Sequence, residues 1–299
     1  MLEEFSGTAL LSEDSVWRII QEAARQTEAE QATRISSVLQ DPETYPSPTY
    51  QAVEAIYEGS VQEFVTLTDA ISVPSQKPTR QKSGEVQVVK EAQRHDTDVF
   101  VLPRRDGGEQ FFCEGLSEMW SVVESVRAFL HEEWRGSSLS VVAITDGARS
   151  IRLDLFSLFG SGVRVILDWY HLVKRTNEKL SMSAHSSSER KEWLGKVLLF
   201  LWSGRVSEAL AFLSGLMVRN ESARQDLIGY FEKHASEIID YGRRQKAGKP
   251  IGSGRMEKAV DQVIGIRQKN RGMAWTKRGS RALAMLKVEQ LNQLCPKMA

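Results

Sequence analysis

Cysteine is scarce in this sequence, and long apolar runs are missing altogether. The 299 residues include only Cys113 and Cys295, which cannot by themselves build a disulfide framework or a zinc site. The longest uninterrupted apolar run is 197–202, far short of the roughly 20 residues that a membrane-spanning helix needs. Four acidic side chains interrupt the first twenty residues, which a secretory signal would not tolerate. These absences lead us to expect a soluble, cytoplasmic protein.

Charge of one sign is not in excess over the whole chain, but its distribution is uneven. Lys and Arg number 39 and Asp and Glu number 39, so the formal net charge is zero. Residues 1–60 hold eleven acids and three bases (−8), whereas residues 241–282 hold twelve bases and two acids (+10). A basic end of this kind is typical of a chain that contacts a polyanion, although a solvated basic face gives the same pattern. Charge alone therefore leaves nucleic-acid binding open.

The hydrophobic pattern predicts a helical start followed by a mixed α/β sheet. Ser12 is placed to cap a first helix, and the breaker-rich stretch 41–48 reads as a linker. The pattern then predicts strands at Phe64–Thr68, 139–145 and 163–167, a hairpin with arms 99–102 and 110–113, and helices between them. Residues 70–95 read as an exposed loop. From 170 to about 241 only helical periodicity is present.

Acidic side chains follow three of the predicted strands. Asp69, Asp146 and Asp168 each come directly after an apolar run. In open α/β sheets, ligands bind at the carboxyl ends of the strands, and carboxylate oxygens are the ligands that Mg²⁺ prefers. An Asp in this place is also a common turn former or helix cap, so both interpretations stay open.

Three segments resemble DDE-type insertion-sequence transposases. They are 142–148 (VAITDGA), 165–171 (VILDWYH) and 251–259 (IGSGRMEKA), and the basic stretch 267–275 fits the same family. The resemblance covers about residues 60–294. It implies an RNase H-like mixed sheet flanked by helices over 59–299, with an all-helical insertion at about 172–250.

The resemblance also implies the site residues. Asp69, Asp146 and Glu257 match the catalytic, metal-binding carboxylates, and Asp168 with His171 matches an accessory pattern. Two Mg²⁺ or Mn²⁺ ions held by such a trio activate a water or a 3′-hydroxyl and stabilise the leaving oxygen of a phosphodiester. The implied function is cleavage and strand transfer at insertion-sequence ends.

The implied partner is double-stranded DNA, at the transposon ends and the target, bound by a homo-oligomer. The residues that we expect to contact DNA lie around Glu257: Arg255, Lys258, Arg267, Lys269, Arg271, Trp275, Lys277 and Arg278. Packing within a helix hairpin is the competing interpretation for Trp275. Residues 1–58 form a helical segment that we interpret as the remnant of a DNA-reading helix-turn-helix, truncated in this chain.

The sequence is also compatible with two alternative functions. One is a catalytically inactive or truncated transposase-derived protein that only binds DNA. The other is an RNase H-like nuclease or resolvase without strand transfer. The sequence has no Walker-type phosphate loop and no nucleophile elbow. The histidines at 95, 131, 185 and 234 show no mutual metal spacing, and we expect each of them at the solvated surface.

Overall fold

Two compact units make up the chain. The computed structural model describes residues 12–76, 94–117, 120–269 and 273–294. Unit 1 is drawn from Met1–Pro48, Asp69–Ser137 and Met256–Ala299, and unit 2 from Thr49–Thr68 and Ser138–Arg255. The division of the chain at residue 58 stays a prediction.

Among the described residues, six strands form one mixed sheet. They are β1 (Thr49–Ala52), β2 (Phe64–Pro74), β3 (Arg94–Pro103), β4 (Glu109–Cys113), β5 (Ser138–Thr145) and β6 (Arg164–Leu167). Their order is β1-β5-β2-β3-β4, and β6 also pairs with β5. β5 pairs in parallel with β1, β2 and β6, whereas β3 and β4 are antiparallel. With its flanking helices the sheet is consistent with an RNase H-like fold, which confirms the predicted α/β class.

The central position of β5 follows from its composition. The four residues 141–144 are Val, Val, Ala and Ile, and all are fully buried. A strand that is apolar on both faces is stable only where both faces are covered. The turn at residue 146 therefore follows directly after a strand that packing holds rigid.

The helices fall into two groups. Unit 1 contains α1 (Glu13–Gln40), α2 (Val122–Glu133) and α10 (Lys277–Leu294), together with a π-helical segment, Asp261–Lys269. Unit 2 contains α3 (Arg149–Phe159), α4 (Trp169–Ser183), α5 (Ser187–Trp202), α6 (Val206–Ser214), α7 (Glu221–Lys233) and α8 (Tyr241–Lys246). The chain passes from unit 2 to unit 1 within the short helix α9 (Gly254–Val260). None of the helices described here is long and apolar enough to span a membrane.

Local capping chemistry sets the starts of the helices in unit 1. Ser12 Oγ accepts a hydrogen bond from Ser15 N at 3.1 Å, so α1 begins where the sequence predicted. In α2, Ser121 and Glu124 form a complete capping box. Ile35 and Val38 of α1 pack with Ala128 of α2 in one apolar cluster.

Aromatic rings fix the helices of unit 2 around the start of α4. Trp169 lies 4.8 Å from Trp202 at the end of α5 and 4.9 Å from Tyr241 at the start of α8, between ring centroids. Such pairs contribute about 0.5–1.5 kcal/mol each beyond their area burial. The segment that follows β6 is therefore packed against both neighbouring helices.

Two sequence predictions about strands are wrong. β2 does not end at Asp69 but continues to Pro74, with Ile71 and Val73 buried and Ser72 between them more exposed. The predicted loop 70–95 is accordingly strand at both of its ends, and its residues 77–93 lie outside the described part of the chain. β1 was not predicted, because a four-residue strand with no buried side chain shows no alternation.

Candidate functional site

Asp146 lies in a tight turn at the carboxyl end of β5. Its side chain is half-buried, and its Oδ1 accepts a hydrogen bond from Ala148 N at 2.8 Å. Gly147, the residue between them, has φ +86°, a conformation that favours glycine. α3 then begins at Arg149. The carboxylate is therefore held at one oxygen by its own turn, on the sheet edge where ligands bind in this fold class.

A buried polar network lies against this turn. His234 and Glu237 follow α7, and Nδ1 of the imidazole lies 2.7 Å from Glu237 Oε2. Arg152 of α3 pairs with Glu237 Oε1 at 2.5 Å, and its Nη2 lies 3.0 Å from the same Nδ1. Since Nδ1 cannot both donate and accept, we assign its proton to the bond with Glu237.

His234 corrects the expectation that the histidines lie at the surface. Its side chain is 1% exposed. The spacing His234-x-x-Glu237, between the buried residues Phe231 and Ile238, is the sequence signal that marks it. A polar pair set among apolar residues is buried only with partners.

Tyr230 and Arg175 extend the same group of side chains toward the surface. The Tyr230 ring lies 4.7 Å from the His234 ring, and the exposed Arg175 guanidinium lies 4.6 Å above the tyrosine. Burial raises the pKa of Tyr230 to about 12; Arg175 opposes this rise, whereas the negative charges of Asp146 and Glu237 add to it. The phenol is thus neutral at physiological pH.

Asp168 is buried and holds two segments of the chain together through hydrogen bonds. It is 1% exposed and caps α4, with Oδ1 accepting from His171 N at 2.9 Å. Its Oδ2 accepts hydrogen bonds from both the backbone N and the Oγ of Ser253. Trp169 N also donates to Ile251 O at 3.1 Å. The acid thus ties the loop 251–253 to the end of β6, immediately before α9.

His171 does not bond to this carboxylate through its ring. Its Nδ1 lies 3.8 Å from Asp168 Oδ1, which is too long for a hydrogen bond. That nitrogen is buried and has no hydrogen-bond partner within the described residues. The accessory role that the resemblance implies for Asp168 and His171 stays a prediction.

Asp69 and Glu257 have different settings. Asp69 lies within β2 rather than after it, is half-buried, and accepts a hydrogen bond from the adjacent Ala70 N at 2.8 Å. Glu257 is exposed in the first turn of α9, which continues directly into the π-helical segment. Nothing in their bonding assigns either residue to catalysis.

Most of the basic residues expected to contact DNA are exposed. They are Arg255, Lys258, Arg267, Lys269, Lys277 and Arg278, and Arg271 lies outside the described residues. Other bases of the same sequence stretch have structural roles instead. Arg244 and Lys249 pair with the buried Glu63, and Arg281 pairs with Glu114. The charge of +10 therefore overstates the cationic surface.

Trp275 is held by packing and by hydrogen bonds. Its Nε1 donates to Gln268 O at 3.2 Å, and its backbone N donates to Pro74 O at 3.0 Å. Its ring lies 6.5 Å from that of Trp17 in α1. These contacts agree with the packing interpretation of this residue, and base stacking by it stays a prediction.

The described carboxylates do not form a ready metal centre. No three His, Cys, Asp or Glu side chains in residues 12–76, 94–117, 120–269 and 273–294 form a group that could hold a metal ion. The donor type suits Mg²⁺, and the two-ion site that the resemblance implies stays a prediction.

Comparisons with known proteins add little to this geometry. No protein-family model matches the chain, and a search of curated proteins gave no match either. Among solved structures, the chain is similar to the Drosophila P element transposase strand transfer complex, with 8% sequence identity and a TM-score of 0.26. That match covers 96% of this chain and 80% of the other. A likeness at this level carries no argument about function.

Proposed function

We propose that this chain is a phosphodiester-cleaving enzyme of the DDE transposase class that acts on double-stranded DNA. Its carboxylates would be Asp69, Asp146 and Glu257, and its ions Mg²⁺ or Mn²⁺. The observation that carries the proposal is the setting of Asp146, a half-exposed carboxylate in a glycine turn at the end of the buried central strand β5. That edge of a parallel α/β sheet is where ligands bind.

The register of β2 on β5 supports the choice of Asp69. Leu67 pairs with Ile144 in this parallel pair, and each candidate acid lies two residues beyond its paired residue. In this proposal, the equal offset from a paired position is the reason to match Asp69 with Asp146. We therefore keep Asp69 as the first carboxylate, although it lies within its strand.

The exposed bases support DNA as the substrate. The helix of Glu257, α9, exposes Lys258. The π-helical segment that follows it exposes Arg267 and Lys269. Lysine and arginine at a surface bind phosphates without reading sequence, and that binding weakens steeply with salt.

Nicking of a supercoiled plasmid in Mn²⁺ tests the proposal. Asp146→Asn keeps the acceptor for Ala148 N and removes the charge, so it should abolish nicking while DNA binding persists. Asp226→Asn is the matched control, since that acid is exposed and pairs only at the surface with Lys179. Equal nicking by wild type and Asp146→Asn would refute the proposal.

One observation favours a second candidate, a transposase-derived protein that binds DNA without cutting it. The described residues contain no group of three potential metal ligands. For this candidate the wild type would bind DNA with a strong salt dependence but would show no nicking in either ion. A nuclease or resolvase would instead cut branched substrates without joining strands.

A further inference from the structure

The histidine next to the Asp146 turn leaves no room for a side chain at residue 147. A Cβ built on Gly147 would lie 2.6 Å from His234 Cε1 and 3.0 Å from Leu167 Cδ1. Real Cβ atoms do not approach other atoms that closely. The imidazole therefore lies directly against Gly147, the residue that follows Asp146.

The histidine is itself held rigidly. Its Nδ1 is bonded to Glu237, whose other oxygen is paired with Arg152 on α3. The Glu237 side chain is 10% exposed and the His234 side chain 1%, so neither is free to rotate into solvent. The helix that follows the turn, α3, is thus joined through Arg152 to the network that holds His234.

The same segment fixes the neighbouring strand. Leu167, the last residue of β6, donates through its N to Glu237 O at 3.0 Å and accepts through its O from the Tyr241 hydroxyl at 2.8 Å. Both bonds come from residues 237–241, directly after His234. One stretch of chain thus contacts the ends of two adjacent parallel strands.

We propose that His234, oriented by Glu237 and Arg152, is a positioning residue for the Asp146 carboxylate. This inference rests on the proposed function, in which Asp146 acts on the phosphodiester. The ring blocks movement of the Asp146–Ala148 turn, and the turn holds the carboxylate through the Ala148 N–H. A catalytic carboxylate that is misplaced by about 1 Å loses on the order of 100-fold in rate.

His234→Asn separates positioning from simple stabilisation. The asparagine amide can replace Nδ1–H as the donor to Glu237, but it lacks the Cε1 atom that touches Gly147. If the histidine only satisfies Glu237, exchange protection at residues 146–148 should change no more in this variant than in the rest of the protein. If it positions the turn, the variant should fold but lose rigidity at residues 146–148. His185→Asn, at an exposed histidine of the same unit, is the matched control.

Hydrogen exchange of the Ala148 amide is the primary measurement, because that N–H bonds directly to Asp146 Oδ1. We expect His234→Asn to lower its protection by roughly tenfold or more, beyond what the change in the global free energy of unfolding accounts for. In the nicking assay kcat should fall by about tenfold while KM for DNA is unchanged, since substrate binding is not altered. Unchanged Ala148 protection in His234→Asn would overturn the inference.

A reciprocal substitution gives an independent check. Gly147→Ala should disrupt the turn in the presence of the imidazole, and should cost less in a His234→Asn background, where the clashing atom is gone. The backbone strain at φ +86° is common to both backgrounds and cancels in the double-mutant cycle. Additive effects on Ala148 protection would refute the contact. If Asp146→Asn nicks like wild type, the proposed function fails, while the exchange measurements still decide the positioning role.

Discussion

Replacing Arg244 with methionine should destabilise the protein far more than replacing Lys246, its exposed neighbour on α8. Arg244 is fully buried. Its Nε donates to Pro250 O at 2.7 Å, and its Nη1 donates to Ile56 O at 3.0 Å. The guanidinium also holds both oxygens of Glu63, at 3.0 and 2.7 Å. Methionine fills a similar volume but offers no donor.

The magnitude follows from what the substitution leaves behind. Removal of one partner from a buried ion pair costs about 3–5 kcal/mol, because the other charge stays buried. Lys249 still lies 2.7 Å from Glu63 Oε1, which reduces that loss. Two backbone carbonyls lose a donor, which adds about 1 kcal/mol each. We expect a total loss of about 3–5 kcal/mol, against about 0.5 kcal/mol or less for Lys246→Met.

Urea denaturation at neutral pH measures this difference. Combining Arg244→Met with Glu63→Leu removes both buried charges, so the double variant should recover part of the stability that the single variant lost. The proposed DNA binding should persist in the single variant, because Arg244 is not at the surface. A loss below about 1 kcal/mol for Arg244→Met would show that this network does not stabilise the unit as its geometry indicates.

Three further predictions concern unit 1. Ser121→Ala should lower the free energy of unfolding by about 1 kcal/mol through loss of the capping box, and an unchanged urea midpoint would contradict this. Burial raises the pKa of the Cys113 thiol to about 12. The neutral thiol therefore stabilises the fold fully below pH about 8.5, which is the pKa of a thiol in the unfolded chain. This stabilisation is lost as the pH rises toward 12. In a Cys295→Ser background the native protein should therefore resist iodoacetamide at pH 8.5 and react only after unfolding; rapid native labelling would refute the burial. Lys269→Gln should weaken DNA binding and reduce the salt slope by about one, whereas the exposed Lys191→Gln should leave both unchanged.

The parts of the fold that local chemistry dictates were predictable from the sequence. α1 begins at a serine cap, the β3–β4 hairpin turns at Arg105–Gly108, and β5 is apolar on both faces. Each of these signals lies within a few residues of the element that it defines. The predicted strand boundaries were less accurate where burial depends on distant partners. The second half of β2 was predicted as a loop because Pro74 and the polar residues after it argue against a long strand.

Only part of the candidate site was predictable from the sequence. Asp146 was identified because a strand end and a glycine turn are local features. The network of Arg152, His234 and Glu237 was missed, since Arg152 and His234 are separated by 82 residues and only the folded helices bring them together. The Arg244–Glu63 pair was missed for the same reason, and Arg244 was counted as part of the basic stretch 241–282.

Asp146 and Asp168 show that a strand-end acid has two physically distinct uses. Both follow parallel strands that pair with each other, and Thr145 and Leu167 are their paired predecessors. Asp168 is sealed from solvent and uses both oxygens to accept three hydrogen bonds, two of them from Ser253. A carboxylate offers about four acceptor positions, so the buried Asp168, with three bonds, has about one position left for a metal ion. Asp146 accepts one bond and is half-exposed, which leaves it the acid with more capacity for a ligand.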